Sequence, residues 1–282
     1  MNRLPEPRHL ALAIGMALVS FASASGQNAP SLKVMISSGF KAAYQELVRE
    51  FERKTGLTLV PAYGASMGDA PDAIPNRLQS GESADVVILA TPALEELVKN
   101  HKVIPGTRVD LARSLIAMAV RAGAQKPDIS TVEGLKRTLL TAKSIAYSGS
   151  TSGVYLSTEL FPRLGIADEI RSKCIRIDVG MVGTVIARGD AEIGFQQLSE
   201  LLPIPGIDIV GPIPPEAQKI TEYSGGVVVN SKEHAIAEQF LQFLASPEAA
   251  ATIKKSGMQP VSERLTTHSN STSETTAYAH ER

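Results

Sequence analysis

The chain has 282 residues, enough for about two domains at roughly 150 residues each and for a core that needs no disulfide, metal or partner to hold it together. With 28 Lys and Arg against 29 Asp and Glu, 43% hydrophobic and 20% charged residues, it has neither the basic excess of a nucleic-acid binder nor the composition of a disordered chain. A single cysteine, Cys174, and five scattered histidines (His9, His101, His234, His268, His280) exclude intramolecular disulfides, thiolate zinc clusters and a local histidine metal motif, so chemistry falls to hydroxyls, amides and carboxylates.

Arg3 and Arg8 precede an apolar run over 10–21, and Ala22-Ser23-Ala24 then supplies the small-x-small pattern of a signal-peptidase site. Residues 1–24 therefore read as a cleaved secretory signal, and the mature chain as a periplasmic protein. No run reaches the length of about 20 apolar residues that a membrane span needs, so no stable membrane insertion is expected. Residues 32–37 read as a strand, after which Phe40, Ala43, Tyr44, Leu47, Val48 and Phe51 recur at helical spacing. A strand over 58–62, a Gly/Ser/Pro loop over 63–70, a helix over 73–78 and a buried strand over 85–89 follow, and Pro92 opens the next helix. Residues 115–120 are a further strand, and Ser130 with Glu133 forms a capping box for a helix running to 140. Strands at 144–147, 193–196, 207–210 and 227–229 alternate with helices up to 164, over 182–188, over 232–244 and over 247–256. The class is α/β, with largely parallel sheets covered on both faces and ligand expected at the carboxyl ends of the strands. Residues 261–282 turn to Ser, Thr, His and Glu without periodicity and read as a disordered tail.

Three loops share one character: each follows a strand and is rich in glycine and small hydroxyls. They are Ser37-Ser38-Gly39, Gly64-Ala65-Ser66-Met67-Gly68 and Ser148-Gly149-Ser150-Thr151-Ser152-Gly153. Free backbone N–H groups and serine hydroxyls at such places favour an anion, and three together point to a small-anion pocket. The second loop also matches the G-x-S-x-G pattern of a hydrolase elbow, but the only histidines positioned to serve it, His101 and His234, sit in polar segments, so that reading fails on its partners.

The order and spacing of Lys33-Val34-Met35-Ile36-Ser37-Ser38, Gly81-Glu82-Ser83-Ala84-Asp85-Val86-Val87-Ile88, Ser152-Gly153-Val154-Tyr155, Ala191-Glu192-Ile193-Gly194-Phe195-Gln196 and Ser246-Pro247-Glu248-Ala249-Ala250 resemble the periplasmic solute-binding proteins of the molybdate-binding type. The resemblance implies a type II two-lobed fold, each lobe a mostly parallel sheet flanked by helices. Lobe I would comprise 28–113 plus 213–260 and lobe II 114–212, with ligand in the cleft between them. It implies ligand contacts at Ser38 or Gly39, at Ser66, at Ser152 and at the main chain of Val179. Gly39 and Gln197 stand where the molybdate subgroup has hydroxyls, which argues against molybdate, because an unmet ligand oxygen costs about 1 to 3 kcal/mol. The combination of Ile36-Ser37-Ser38-Gly39-Phe40, Gly64-Ala65-Ser66-Met67-Gly68, Lys143-Ser144-Ile145-Ala146-Tyr147-Ser148 and Ile193-Gly194-Phe195-Gln196-Gln197 is similar to a branch of this fold that contains periplasmic aconitate isomerase.

Two functions follow from the resemblance. One is an isomerase moving a proton by an allylic shift between cis- and trans-aconitate. The other is the substrate-binding component of an ABC importer, with the permease as partner and molybdate or another small anion as ligand. Neither implies a cofactor or a metal. Substrate contacts are expected from Ser37, Ser38, Gly39, Ser66, Met67, Ser148, Ser150, Thr151, Ser152, Val179, Gln196 and Gln197, whose separated donors suit a polycarboxylate. The isomerase also needs a base. Tyr63, Tyr147, Tyr155, Lys41 and Asp69 lie near the loops, and Tyr155 and Lys41 are the expected catalytic residues.

Overall fold

The computed structural model describes residues 31–262, so the signal sequence and nearly all of the expected tail lie outside the described residues. Eleven strands and eleven helices are assigned among those residues. The first half runs β1 (Ser31–Ser37), α1 (Lys41–Thr55), β2 (Thr58–Gly64), α2 (Ile74–Gln79), β3 (Val86–Ala90), α3 (Thr91–Lys99), β4 (Val109–Ser114), β5 (Ile116–Arg121), α4 (Val132–Thr141) and β6 (Ile145–Ser148). The second continues with α5 (Thr151–Tyr155), α6 (Phe161–Arg163), α7 (Ala167–Ile170), β7 (Cys174–Ile177), α8 (Val182–Arg188), β8 (Ile193–Gln197), α9 (Leu198–Leu201), β9 (Ile207–Pro212), β10 (Thr221–Val227), α10 (His234–Leu244), α11 (Pro247–Lys255) and β11 (Gln259–Pro260).

The strands form two sheets, ordered β11-β4-β10-β3-β1-β2 and β7-β6-β8-β5-β9. Each has helices on both faces, as strand periodicity requires. In β1, Leu32, Val34 and Ile36 point into a core with α1, α10 and α11, while Met35 points into a second core with α2 and α3. In β5, Ile116, Met118 and Val120 face the cluster built on α4 to α7, and the small Ala117 and Ala119 face α8. The sheets are mixed rather than mostly parallel. β1 runs parallel to β2 and β3, and β6 parallel to β7 and β8, but β10 is antiparallel to β3 and β4, and β5 antiparallel to β8 and β9. The cause is topological: β5 and β10 are the strands by which the chain enters one sheet directly from the other.

Local signals explain most element ends. α1 buries Ala43, Tyr44, Leu47 and Phe51 and stops at Gly56, whose left-handed φ of 71° lets its N–H reach Glu52 O at 2.8 Å. The cap of α4 is Thr131, whose Oγ1 accepts from Gly134 N at 3.0 Å, so the expected capping box of Ser130 with Glu133 gives way to a simple N-cap one residue later, where Gly134 has no side chain to return the bond. Ser130 N instead donates to Asp128 Oδ1 at 2.9 Å, which closes the turn before the helix.

Candidate functional site

The carboxyl ends of five strands converge on one cavity of about 180 Å³. Ser37 closes β1, Gly64 closes β2, Ser148 closes β6, Ile177 closes β7, and Gln196 and Gln197 close β8; all line the cavity. Parallel strands present unfilled backbone groups and helix starts at that end, which is why ligands collect there. Ser38, Ser150, Thr151 and Ser152 complete a wall of hydroxyls, and Tyr63, Asp72, Asp178, Glu200 and Tyr223 add the titratable groups.

On the side of the six-stranded sheet the hydroxyls are chained together. Ala90 N donates to Ser66 Oγ at 2.9 Å, Ser66 Oγ donates to Ser37 Oγ at 2.7 Å, and Ser37 is hydrogen-bonded to the Tyr223 hydroxyl. Ser66 therefore lies behind the wall, 1% exposed, and positions Ser37. Tyr223 is buried beside Glu200, and burial, reinforced by that carboxylate, pushes its phenol well above the ordinary tyrosine range. It stays protonated and available as a donor.

Gly39 is explained by the same phenol. A β-carbon at this position would stand 1.9 Å from the Tyr223 hydroxyl oxygen, so residue 39 must be glycine for Tyr223 to reach the cavity. The hydroxyl expected to be lost at Gly39 is thus supplied by β10. Gly39 itself is outside the lining, with its carbonyl accepting from Ser199 Oγ at 2.7 Å.

On the side of the five-stranded sheet the orientation of Gln196 is fixed. Its Oε1 accepts from Val182 N at 3.0 Å, which leaves the NH₂ group to donate to the Glu200 carboxylate. Gln197 N–H also donates to Glu200, and Glu200 is 9% exposed. Burial dominates these two donors and pushes the Glu200 carboxyl up to about 7. Three polar atoms in the lining are buried without a partner: Asp72 Oδ1, Thr151 Oγ1 and Gln197 Oε1. The Gln197 Nε2 donates to Thr221 Oγ1 at 2.7 Å. A hydroxyl can donate as well as accept, so a turned amide would present NH₂ to an anion. No Lys, Arg or His is among the described residues of the lining.

The expected site residues divide accordingly. Ser37, Ser38, Ser148, Ser150, Thr151, Ser152, Gln196 and Gln197 are brought together in the lining. Met67 lines a neighbouring groove of about 570 Å³ instead, and Val179 is 70% exposed between the lining residues Asp178 and Gly180 and is itself outside the lining, so only its main chain is placed for the expected role. Neither expected base reaches the cavity. The Tyr155 hydroxyl donates to Ala217 O at 2.7 Å within the core of the five-stranded sheet, and Lys41 is exposed with Nζ 4.8 Å from the Tyr63 ring centroid, outside the lining. Sequence reading missed Glu200 and Tyr223. The sequence Leu198-Ser199-Glu200-Leu201 resembles any amphipathic turn; its position directly after a fully buried strand was the available signal.

Comparison with known proteins now bears on this geometry. Residues 32–259 match the family described as bacterial extracellular solute-binding protein. An aconitate isomerase of Pseudomonas sp. is 48% identical over 256 residues, covering 90% of this chain and 98% of that protein. The molybdate-binding protein of Azotobacter vinelandii is 23% identical, covering 88% and 96%. Among solved structures, the periplasmic molybdate-binding protein of Azotobacter vinelandii superposes with a TM-score of 0.66 at 24% identity over 80% of this chain and 98% of that one. The sulfate-binding protein of Mycobacterium tuberculosis superposes with a TM-score of 0.60 at 19% identity over 82% and 87%.

Proposed function

We propose that this chain, which belongs to the bacterial extracellular solute-binding proteins, uses its cavity to interconvert cis- and trans-aconitate. The observation that carries the reading is the 48% identity to an aconitate isomerase across 90% of the chain. The site chemistry supports it. A proton leaves the methylene carbon beside a carboxylate, charge builds on the dienolate, and a proton returns to the former vinylic carbon. The double bond migrates along the three-carbon frame, so the new geometry is set by the conformation about what was a single bond.

Hydroxyls at Ser37, Ser38, Ser150, Thr151 and Ser152 and the amides of Gln196 and Gln197 would hold the three carboxylates at separate points without cationic side chains. The chain acts in the periplasm after removal of residues 1–24, as two lobes, 28–113 with 213–260 and 114–212, hinged at the crossovers. The alternative, delivery of a small anion to an importer, rests on a fold shared with binding proteins at 24% identity or less, which speaks for fold rather than ligand. The test is direct: the purified protein is incubated with cis-aconitate and the isomers are resolved by chromatography. Catalytic appearance of the trans isomer is expected; tight molybdate binding with no turnover would overturn the reading.

A further inference from the structure

We propose that Glu200 is the proton carrier of the isomerisation and that Tyr223 donates the hydrogen bond to the substrate carboxylate on which the dienolate charge builds. This assignment rests on the reading of the chain as an aconitate isomerase. Both side chains line the same cavity of about 180 Å³, so a ligand filling it meets both.

Three lining carboxylates are candidates for the proton carrier, and their partners separate them. Asp178 Oδ1 is held by Arg176 Nε at 2.7 Å, and the pair is about half exposed, which ties that carboxylate up as an ordinary ion pair. Asp72 has a buried, unpartnered Oδ1 on the opposite side and is the competitor to be excluded by experiment. Glu200 is the one held in place by two neutral donors, the Gln196 side-chain amide and the Gln197 N–H, with no cation to quench its basicity. Ser199, its neighbour in α9, anchors the turn across the two sheets through Gly39 O.

The step balances without a co-reactant. The Glu200 carboxylate takes the methylene proton; the C–H electron pair becomes the new C=C bond to the central carbon, and the old double-bond pair moves toward the vinylic carbon and its carboxylate. The protonated Glu200 then returns its proton to that carbon, regenerating the carboxylate. One group can both take and return the proton because burial brings its affinity close to neutrality, where both forms are populated. The titratable groups facing it are Tyr223 from β10, Tyr63 and Asp72 from the end of β2 and the segment after it, and Asp178 after β7. Tyr223 is neutral over this range, being raised further above it.

The experiment compares wild type, Glu200→Gln, Glu200→Asp and Asp72→Asn as full mature chains, with turnover of cis-aconitate and binding of trans-aconitate by calorimetry measured on each. Glu200→Gln is expected to lose about 1000-fold in kcat, within the range removal of a general base produces, while binding stays within about 10-fold. The wild-type kcat/KM is expected to rise with pH to a plateau, with a midpoint near 7. If wild type turns over aconitate but Glu200→Gln stays within about 10-fold of it, or Asp72→Asn alone abolishes turnover, the assignment is overturned and the functional reading survives. Wild type inactive on aconitate overturns both. Should Glu200→Gln fail to fold, Glu200→Asp and the wild-type profile decide: unchanged kcat in the former, or a flat profile between about pH 5.5 and 8.5, overturns it.

Discussion

Two concave regions of this molecule meet at Thr151, and they treat charge in opposite ways. The groove of about 570 Å³ is the larger, and its carboxylates are matched by cations: Glu95 with Arg108 Nη1 at 2.6 Å, Glu222 with Arg113 Nε at 2.9 Å, Glu159 with Lys219 Nζ at 2.5 Å. At its edge the Arg108 guanidinium, hydrogen-bonded to Asp110, holds that carboxyl below its ordinary range. The cavity of about 180 Å³ has no cationic side chain among the described residues of its lining and pushes Glu200 the other way. Exposed ion pairs of the first kind contribute about 0 to 1 kcal/mol each and leave nothing reactive. An uncompensated buried carboxylate costs stability and is kept near the pH at which it can exchange a proton. The proposed function uses the smaller region, although the groove is the larger of the two.

The contrast is broken most severely at Glu200. Glu200→Gln is expected to lower kcat by about 1000-fold and at the same time to stabilise the fold as pH rises. The folded carboxyl sits at about 7 against an ordinary 4.5, so the folded chain holds more protons over that window. The stability that wild type owes to this group is fully present below 4.5 and is lost as pH rises through 7. The advantage of Glu200→Gln over wild type should therefore grow by about 3 kcal/mol between about pH 4 and pH 8, read by urea denaturation at each pH. A constant difference would mean that Glu200 is not buried as a carboxylate without a counter-charge.

Gly39→Ser comes next. The added side chain must displace the Tyr223 hydroxyl, so turnover should fall by about 100-fold, as when a donor to a developing oxyanion is removed. Tyr223→Phe should reproduce the loss without the steric strain, and full activity in either variant would remove Tyr223 from the account. Ser66→Ala should cost about 1 to 3 kcal/mol of stability, since it strips the acceptor from the buried Ala90 N–H and releases Ser37. The smallest effects belong to the groove: Arg113→Ala and Lys219→Ala should each change stability by no more than about 0.5 kcal/mol and leave turnover within about twofold. A large loss there would erase the distinction between the two regions.

Much of this was legible in the residues, and the gaps have physical causes. Strong periodicity placed α1, with Ala43, Tyr44, Leu47 and Phe51 buried as their spacing demanded, and the all-buried β3 was readable as a continuous apolar run. β4 and β7 were missed: Val109–Ser114 interleaves Asp110 and Arg113, and Cys174–Ile177 is a four-residue edge strand, partly exposed and too short to show a period. Most of β10 was missed as well, because Ser224-Gly225-Gly226 reads as a turn. There the small residues admit close neighbours instead, with Leu241 packed on Gly225 and Val103 on Gly226. The hydroxyl loops were visible because glycine and serine after a strand are a local signal. Glu200 and Tyr223 were not, since what distinguishes them is tertiary: burial together at the junction of two sheets, from positions 23 residues apart in the chain. Tyr155 illustrates the converse, a residue near the right loop whose hydroxyl is spent on Ala217 O in the core.

The measurement closest to the central claim is the titration of Glu200 itself, followed by NMR on protein carrying ¹³C at the glutamate side-chain carboxyls, with the resonance assigned by its absence from Glu200→Gln. The uncompensated cavity predicts a midpoint near 7, moving upward when trans-aconitate binds and adds negative charge beside it. A midpoint in the ordinary carboxylate range, with or without ligand, would contradict this assignment, because a cation or water would then be stabilising a charge that burial leaves without a counter-ion.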